Sequence, residues 1–517
     1  MRVAARVVGD PRASRVVGRA RSSRPRVRRG APRRARARGD VETNEKMTST
    51  RARETTPPSS RPTVERTVER DVSRETSTST LARDAPPTRL WTNVEPWEDG
   101  SAARRLRRRP GSTAAAIALV AGTTLGAGML ALPVALRDAG FVPSTAVIAA
   151  CWAFFSATGL CVLEVNLGTT CELGRGGGVS VNAMTRRTLG ESGVRVATAS
   201  YAFIHYALLV AYVQKIGQLA TETATDVPGG ASGASVAYAA AMSLFLYFAT
   251  PEKIEKFNSV LFVGVLGTFL PLLALAASSE TTSIDNLLAV SDWSKTPATI
   301  PIIAVAFVYH QVIPVVATSL EGDKERATTA VLAGTAIPAL MFILWNAAVL
   351  GSVPPDATSM GDPIAALEAA SPATAALVRA FEFFAVSTSF LGFGWGLADF
   401  IADSMEMDAS DARPWITALA PPVVFALTRP DVFLQALDGA GAFGVLVVFG
   451  MLPPAMVYRH RAMREECKRA RGGEDDPVEC LPILAPTLPG GSLMLAVLFA
   501  LAAYEVGTET LGLLGAV

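Results

Sequence analysis

From residue 113 onward the chain alternates long apolar runs with short polar connectors. The runs cover 113–136, 142–163, 196–214, 231–250, 257–279, 296–320, 329–351, 379–398, 414–428, 435–458 and 485–507. An α-helix rises about 1.5 Å per residue, so a run of about 20 residues crosses about 30 Å of hydrocarbon. A helix does so with every backbone hydrogen bond made internally, which a lipid solvent demands. The pattern predicts an all-α polytopic membrane protein with eleven transmembrane helices, and the lipid bilayer is its first partner. The ninth run is short and contains Pro421-Pro422, and the last is loosely bounded by Pro489-Gly490-Gly491.

Charge sharpens this division. The 517 residues carry a net charge of only +2. Residues 1–110 hold 28 basic and 13 acidic groups, whereas residues 111–517 hold 20 and 33. The second stretch has about half the charge density of a soluble domain. A soluble protein is excluded, and so is a nucleic-acid binder inferred from the basic tail. The first 39 residues contain 14 Arg, no Lys and one acid, Asp10. That is the composition of an organelle transit peptide, not of a secretory signal. The alternative is that Met47 starts the chain. Residues 42–96 are rich in Ser, Thr, Pro and Arg, repeat TVER at 63–66 and 67–70, and have too few apolar residues to bury a core. The expected organisation is a disordered Arg-rich tail over 1–110 and a transmembrane domain over 111–510.

The connectors set an orientation. With the amino terminus on the cytosol-like side, inner loops carry fifteen Lys and Arg and outer loops five. The cluster Arg104, Arg105, Arg107, Arg108 and Arg109 adds to the inner side. By the positive-inside rule the amino terminus is inside and the carboxyl terminus outside.

Two runs are interrupted at matching places. The first contains Gly122-Thr123-Thr124-Leu125-Gly126-Ala127-Gly128, and the sixth contains Phe307-Val308-Tyr309-His310-Gln311 followed by Pro314. Backbone freed from helical bonding in hydrocarbon persists only where it lines a cavity or binds something. Broken spans at positions 1 and 6 predict an inverted-repeat transporter of five and five helices, with one extra. Amides at Gly126–Gly128 would begin an outer half-helix and suit a carboxylate. Carbonyls near Ala121–Thr123 would suit an ammonium or a metal cation. Alternatively, Gly122 and Gly126 form a small-residue face for close helix packing.

Gly122–Pro133 (GTTLGAGMLALP) resembles the first-helix motif of the aromatic and hydroxy amino acid permeases, the tyrosine- and tryptophan-specific proton symporters of bacteria. Leu163–Leu167 (LEVNL), Tyr309-His310 with Pro314, Phe384–Gly392 (FAVSTSFLG) with Asp399 and Asp403, and Ala420–Val424 (APPVV) are also similar, in the same order. Val308 and Gln311 stand where bacterial members have glycines. Tyr-His followed by a polar residue, then Leu320-Glu321-Gly322-Asp323, is closer to a plant-like branch. The resemblance implies eleven spans, a LeuT-type inverted repeat, uptake of an aromatic amino acid with a cation, and no cofactor. With the tail, it points to the chloroplast envelope inner membrane, the mitochondrial and plasma membranes being alternatives.

The substrate-site candidates are Thr123, Thr124, Gly126, Ala127, Gly128, Tyr206, Phe307, Tyr309 and His310. Tyr206 matches a family tyrosine. His310, a titratable group at mid-span, is either a proton carrier or a neutral ring bonded to the first helix. Glu164 is either a proton carrier or a helix-end carboxylate in water. Ser387, Thr388 and Ser389 either bond the preceding turn or form a sodium-like site with first-helix carbonyls. Asp399 and Asp403, one turn apart, are a gate or solvated charge. Protons are the favoured coupling ion over sodium. The three His, at 205, 310 and 460, are too scattered for a metal site, and the five Cys show no disulfide or zinc spacing. No nucleophile–base pair is readable, so an enzyme is not expected. A channel or a membrane sensor on the same fold is the competing reading.

Overall fold

The computed structural model describes Leu90, 94–97, 105–108 and residues 111–515, apart from the connectors 174–178, 225, 279–281, 353–362, 370, 406, 408–410, 429–431 and 471–485. The transit-peptide reading of the tail lies outside these residues. A short antiparallel hairpin, β1 (Val94–Trp97) with β2 (Arg105–Arg108), precedes the first span.

The spans follow in order. They are α1 (Thr113–Thr124) with α2 (Gly128–Leu136), then α3 (Phe141–Leu173), α4 (Val181–Thr223), α5 (Gly230–Phe248) and α6 (Pro251–Ser278). A short α7 (Ile284–Ala289) leads to the sixth span, α8 (Ile300–Ala306) with α9 (Ile313–Ser319). Then come α10 (Lys324–Ser352), a short α11 (Pro363–Ala369), α12 (Pro372–Ser404) and α13 (Ala412–Thr428). The tenth span runs from α14 (Phe433–Gly439) through wide π-type turns over Ala440–Met451 into α15 (Leu452–Ala470), and α16 (Gly491–Leu513) is last. Among the described residues, nine helices are long and apolar enough to cross a membrane, ten with the bent pair α1–α2 taken as one span. The expected ninth span, α13, is a helix of 17 residues with both prolines inside it.

Several boundaries differ from the apolar runs for physical reasons. The 33 residues of α3 rise about 50 Å, well past the hydrocarbon thickness, so Glu164 lies within the helix and not beyond its end. Ser180 caps α4 by accepting from the amide of Ala183 at 3.2 Å, and the 43-residue element bends at Gly190, whose φ of 70° only glycine adopts freely. The last helix starts at Gly491, the second of two consecutive glycines with positive φ, and reaches Leu513. Cys467 is exposed on α15.

Packing follows the side chains. Leucines and valines of α6 (Val260, Val263, Leu270) and α16 (Leu493, Leu501, Leu513) point outward and exposed, the surface expected where the solvent is lipid. The interior holds a triangle of Phe269, Trp345 and Phe381 from α6, α10 and α12, with ring centroids 5.4–6.3 Å apart. A second cluster joins Phe155 of α3 and Phe342 of α10 to Phe307 at the end of α8. The two interrupted spans meet inside the bundle where Gly128 of α2 approaches Ala306 of α8.

Candidate functional site

The first break is local and short. Leu125 closes α1 by donating to Ala121 O at 2.9 Å, and α2 resumes at Gly128 with a bend of 54°. Thr123 and Thr124 turn their hydroxyls back to Leu119 O (2.7 Å) and Val120 O (2.8 Å), so both donate within their own helix. The amide of Ala127 donates to Ser389 Oγ of α12 at 2.9 Å. The amides of Gly126 and Gly128 find no acceptor among the described residues. These two N–H groups, at the start of α2, are the positive end of a helix dipole.

The glycines are there for different reasons. A Cβ on Gly126 would overlap Ser389 Oγ. A Cβ on Gly128 would sit 3.0 Å from Ala306 Cα, so the backbones of the two broken spans touch there. Gly122 faces Phe262 at an ordinary 3.6 Å. Close packing thus accounts for Gly128, while Gly126 makes room for a hydroxyl.

The second break begins as α8 ends. Phe307 (φ −95°, ψ 25°) and Tyr309 (φ −145°, ψ −7°) leave helical geometry, and a 3-10 turn over His310–Val312 leads into α9. Tyr309 and His310 both reach α3. Tyr309 OH donates to Phe155 O at 2.9 Å and lies against Gly159, where any side chain would collide with it. His310 Nε2 is 3.0 Å from Thr158 Oγ1, and its ring stacks on Phe449 at 4.7 Å within the π-type turns. Its Nδ1 is buried without a protein partner among the described residues. Of the two readings of His310, a ring bonded to the first helix is not found among the described residues, since the ring meets the second span instead.

The remaining candidates separate. Of the three α12 hydroxyls, only Ser389 reaches the first break. Ser387 accepts from Tyr238 of α5 at 3.0 Å, and Thr388 bonds back to Ala385 O. Tyr206 donates to Thr417 O at 2.8 Å, tying α4 to α13. The α4 tyrosine beside Ser389 is instead the fully buried Tyr212, which sequence reasoning passed over. Its six-residue offset from Tyr206, which turns it toward another face of α4, was the available signal.

Glu164 is buried and fully engaged. Arg461 of α15 binds it with both Nε (2.7 Å) and Nη2 (2.8 Å), and Thr487 donates through its amide (2.9 Å) and hydroxyl (3.0 Å). It is neither a solvated helix end nor an idle carboxylate. Asp399 accepts from Trp395 Nε1 one turn earlier, and the Asp403 side chain lies outside the described residues. His205 Nδ1 is 2.8 Å from Tyr201 O. Among the described residues no His, Cys, Asp and Glu group is arranged to hold a metal ion.

Two interrupted spans, with a hydroxyl from a third helix at the first break, thus lie inside a bundle of helices long and apolar enough to cross a membrane. The crystal structure of MhsT in complex with L-phenylalanine superposes with a TM-score of 0.53 at 11% identity, over 77% of this chain and 100% of that one, which shows the fold. The chain belongs to the tryptophan/tyrosine permease family, whose sequence model matches residues 110–478. It is 28% identical to the tryptophan-specific transport protein of Haemophilus influenzae over 66% of this chain and 85% of that one. It is 30% identical to tyrosine-specific transport system 1 of the same organism, over 66% and 87% respectively.

Proposed function

We propose that this chain is a secondary active transporter of aromatic amino acids, tyrosine or tryptophan, coupled to protons and resident in the inner membrane of the chloroplast envelope. The observation that carries the reading is the pair of amides, Gly126 and Gly128, left without acceptors where α2 begins beside Ala306 of α8. They offer two donors and a helix-dipole end to a carboxylate. Carbonyls at the end of α1 would take the ammonium, and Phe307 lies at the second break for an aromatic ring. Asn346 supports a polar aromatic substrate. It is buried on α10 one turn from Phe342, which touches Phe307, and both its amide atoms lack protein partners among the described residues.

The family relatives are named for tryptophan and tyrosine transport. The plastid assignment rests on the Arg-rich tail and the plant-like motif around Tyr309-His310. Sodium coupling is the second reading, favoured by Ser389 standing at the first break beside the last turn of α1. Concentrative uptake into proteoliposomes, with labelled tyrosine in competition against tryptophan and phenylalanine, tests the proposal. Accumulation driven by a pH gradient and abolished by a protonophore supports it. Sodium-dependent accumulation supports the second reading, and ion-independent equilibration would mean a channel.

A further inference from the structure

A charged pair that the sequence reading passed over sits inside the bundle. Lys215 Nζ of α4 lies 2.8 Å from Glu382 Oε1 of α12, with side chains 15% and 2% exposed. In the sequence Lys215 directly follows the run 196–214, and Glu382 lies near the start of the run 379–398. Burial changes their meaning, because an ionisable group enclosed within a membrane bundle is costly and is kept for a purpose.

The pair shares a seam with the first break. On α4, Lys215 follows Tyr212 by three residues, so both project from one face. On α12, Ser389 follows Glu382 by seven residues, two turns along the same face. Tyr212 stands beside Ser389, and Ser389 accepts from Ala127. One helix–helix contact therefore carries the ion pair at one level and the hydroxyl holding the first break at another. The other charged groups facing Glu382 are Glu222 of α4 and Glu368 of α11, the latter 3.4 Å from Arg379 of α12.

We propose that Glu382, paired with Lys215, is the proton-binding site of the transport cycle. This rests on the transport reading above and adds to it the group that takes the proton. A proton from water bonds to a Glu382 carboxylate oxygen, the Lys215 ammonium keeps its three protons, and the pair passes from neutral to singly positive. No other bond is made or broken, and the proton returns to water on release. Protonation dissolves the pair, so the α4–α12 seam relaxes where Ser389 meets the first break. Lysine suits this role, being a point charge on a flexible stem that can leave its partner, where arginine would hold it in a fork. Glu164 does not, since protonation there would forfeit donors from Arg461 and Thr487 together.

The test uses the full chain in proteoliposomes with labelled tryptophan and tyrosine. In the wild type, a gradient of about one pH unit should drive about tenfold accumulation at one proton per substrate. Glu382→Gln should abolish that accumulation yet retain exchange of external label against internal unlabelled substrate, now independent of pH. Glu382→Asp, which keeps an acid, should retain accumulation. If Glu382→Gln fails to fold, Lys215→Met/Glu382→Gln, which leaves no unpaired charge, takes its place with the same expectation. Accumulation by either variant with the wild-type pH profile would overturn the proposal, and so would loss of exchange together with accumulation in folded protein. Wild-type protein that exchanges neither amino acid would contradict the transport reading instead.

Discussion

Ser389 occupies the space that a side chain at Gly126 would need, and from there it accepts the amide of Ala127 at 2.9 Å. The two residues lie 263 positions apart, yet each explains the other. Glycine at 126 admits the hydroxyl, and the hydroxyl satisfies a backbone group stranded by the break. Gly126→Ala should therefore lower thermal stability, although alanine favours a helix by about 1 kcal/mol. Ser389→Ala should cost about 1–3 kcal/mol by stranding the amide. The double variant should be more stable than the sum of the single losses, because Ser389→Ala removes the overlap. Melting temperatures of the four proteins close the cycle, and strict additivity would contradict the contact.

Both breaks were legible in the sequence, because three glycines in seven residues and a proline beyond Tyr309-His310 have few other uses inside an apolar run. The partners were not. Glu164 and Arg461 are 297 residues apart, and nothing local in either helix announces the other. The bend at Gly190 was hidden because a glycine between Leu189 and Glu191, in a largely polar stretch, resembles an ordinary loop. Ser387, Thr388 and Ser389 are chemically alike, and only packing against α1 and α5 separates the residue at the break from its neighbours. Glu382 sits at the start of an apolar run, where a solvated and a buried carboxylate read the same.

The Glu164–Arg461 clamp should contribute to stability before anything else. Arg461→Ala leaves a buried carboxylate without its fork and should cost about 3–5 kcal/mol. Glu164→Gln/Arg461→Met, which removes both charges, should recover a good part of that loss. Chemical denaturation of purified protein in detergent checks this. Equal losses in the single and double variants would mean that the pair is not coupled.

His310 is predicted to act through α3. Thr158→Val removes the hydroxyl facing Nε2 and should slow uptake while leaving the fold intact, at a stability cost of about 1–3 kcal/mol. His310→Ala also empties the space against Phe449 and should cost about 2–4 kcal/mol. Uptake corrected for folded protein should fall in both. Normal corrected uptake in both variants would assign the ring to packing alone.

A fluorescent fusion of residues 1–110 should enter an organelle, chloroplasts in plant cells, because 14 of its first 39 residues are Arg and only Asp10 is acidic. A fusion that stays cytosolic, while the full chain reaches the plasma membrane, would contradict the targeting assignment.

The central claim is that the amides of Gly126 and Gly128 hold the substrate carboxylate. Equilibrium binding to the purified full chain tests it directly, with tryptophan compared against tryptamine, which keeps the ring and the ammonium but lacks the carboxylate. Charge-assisted hydrogen bonds contribute about 1.5–3 kcal/mol each, so losing two should weaken binding by about a hundredfold or more. The account predicts that loss for tryptamine, and a smaller one for tryptophanamide, which retains a carbonyl acceptor. Tryptamine binding as tightly as tryptophan would contradict it.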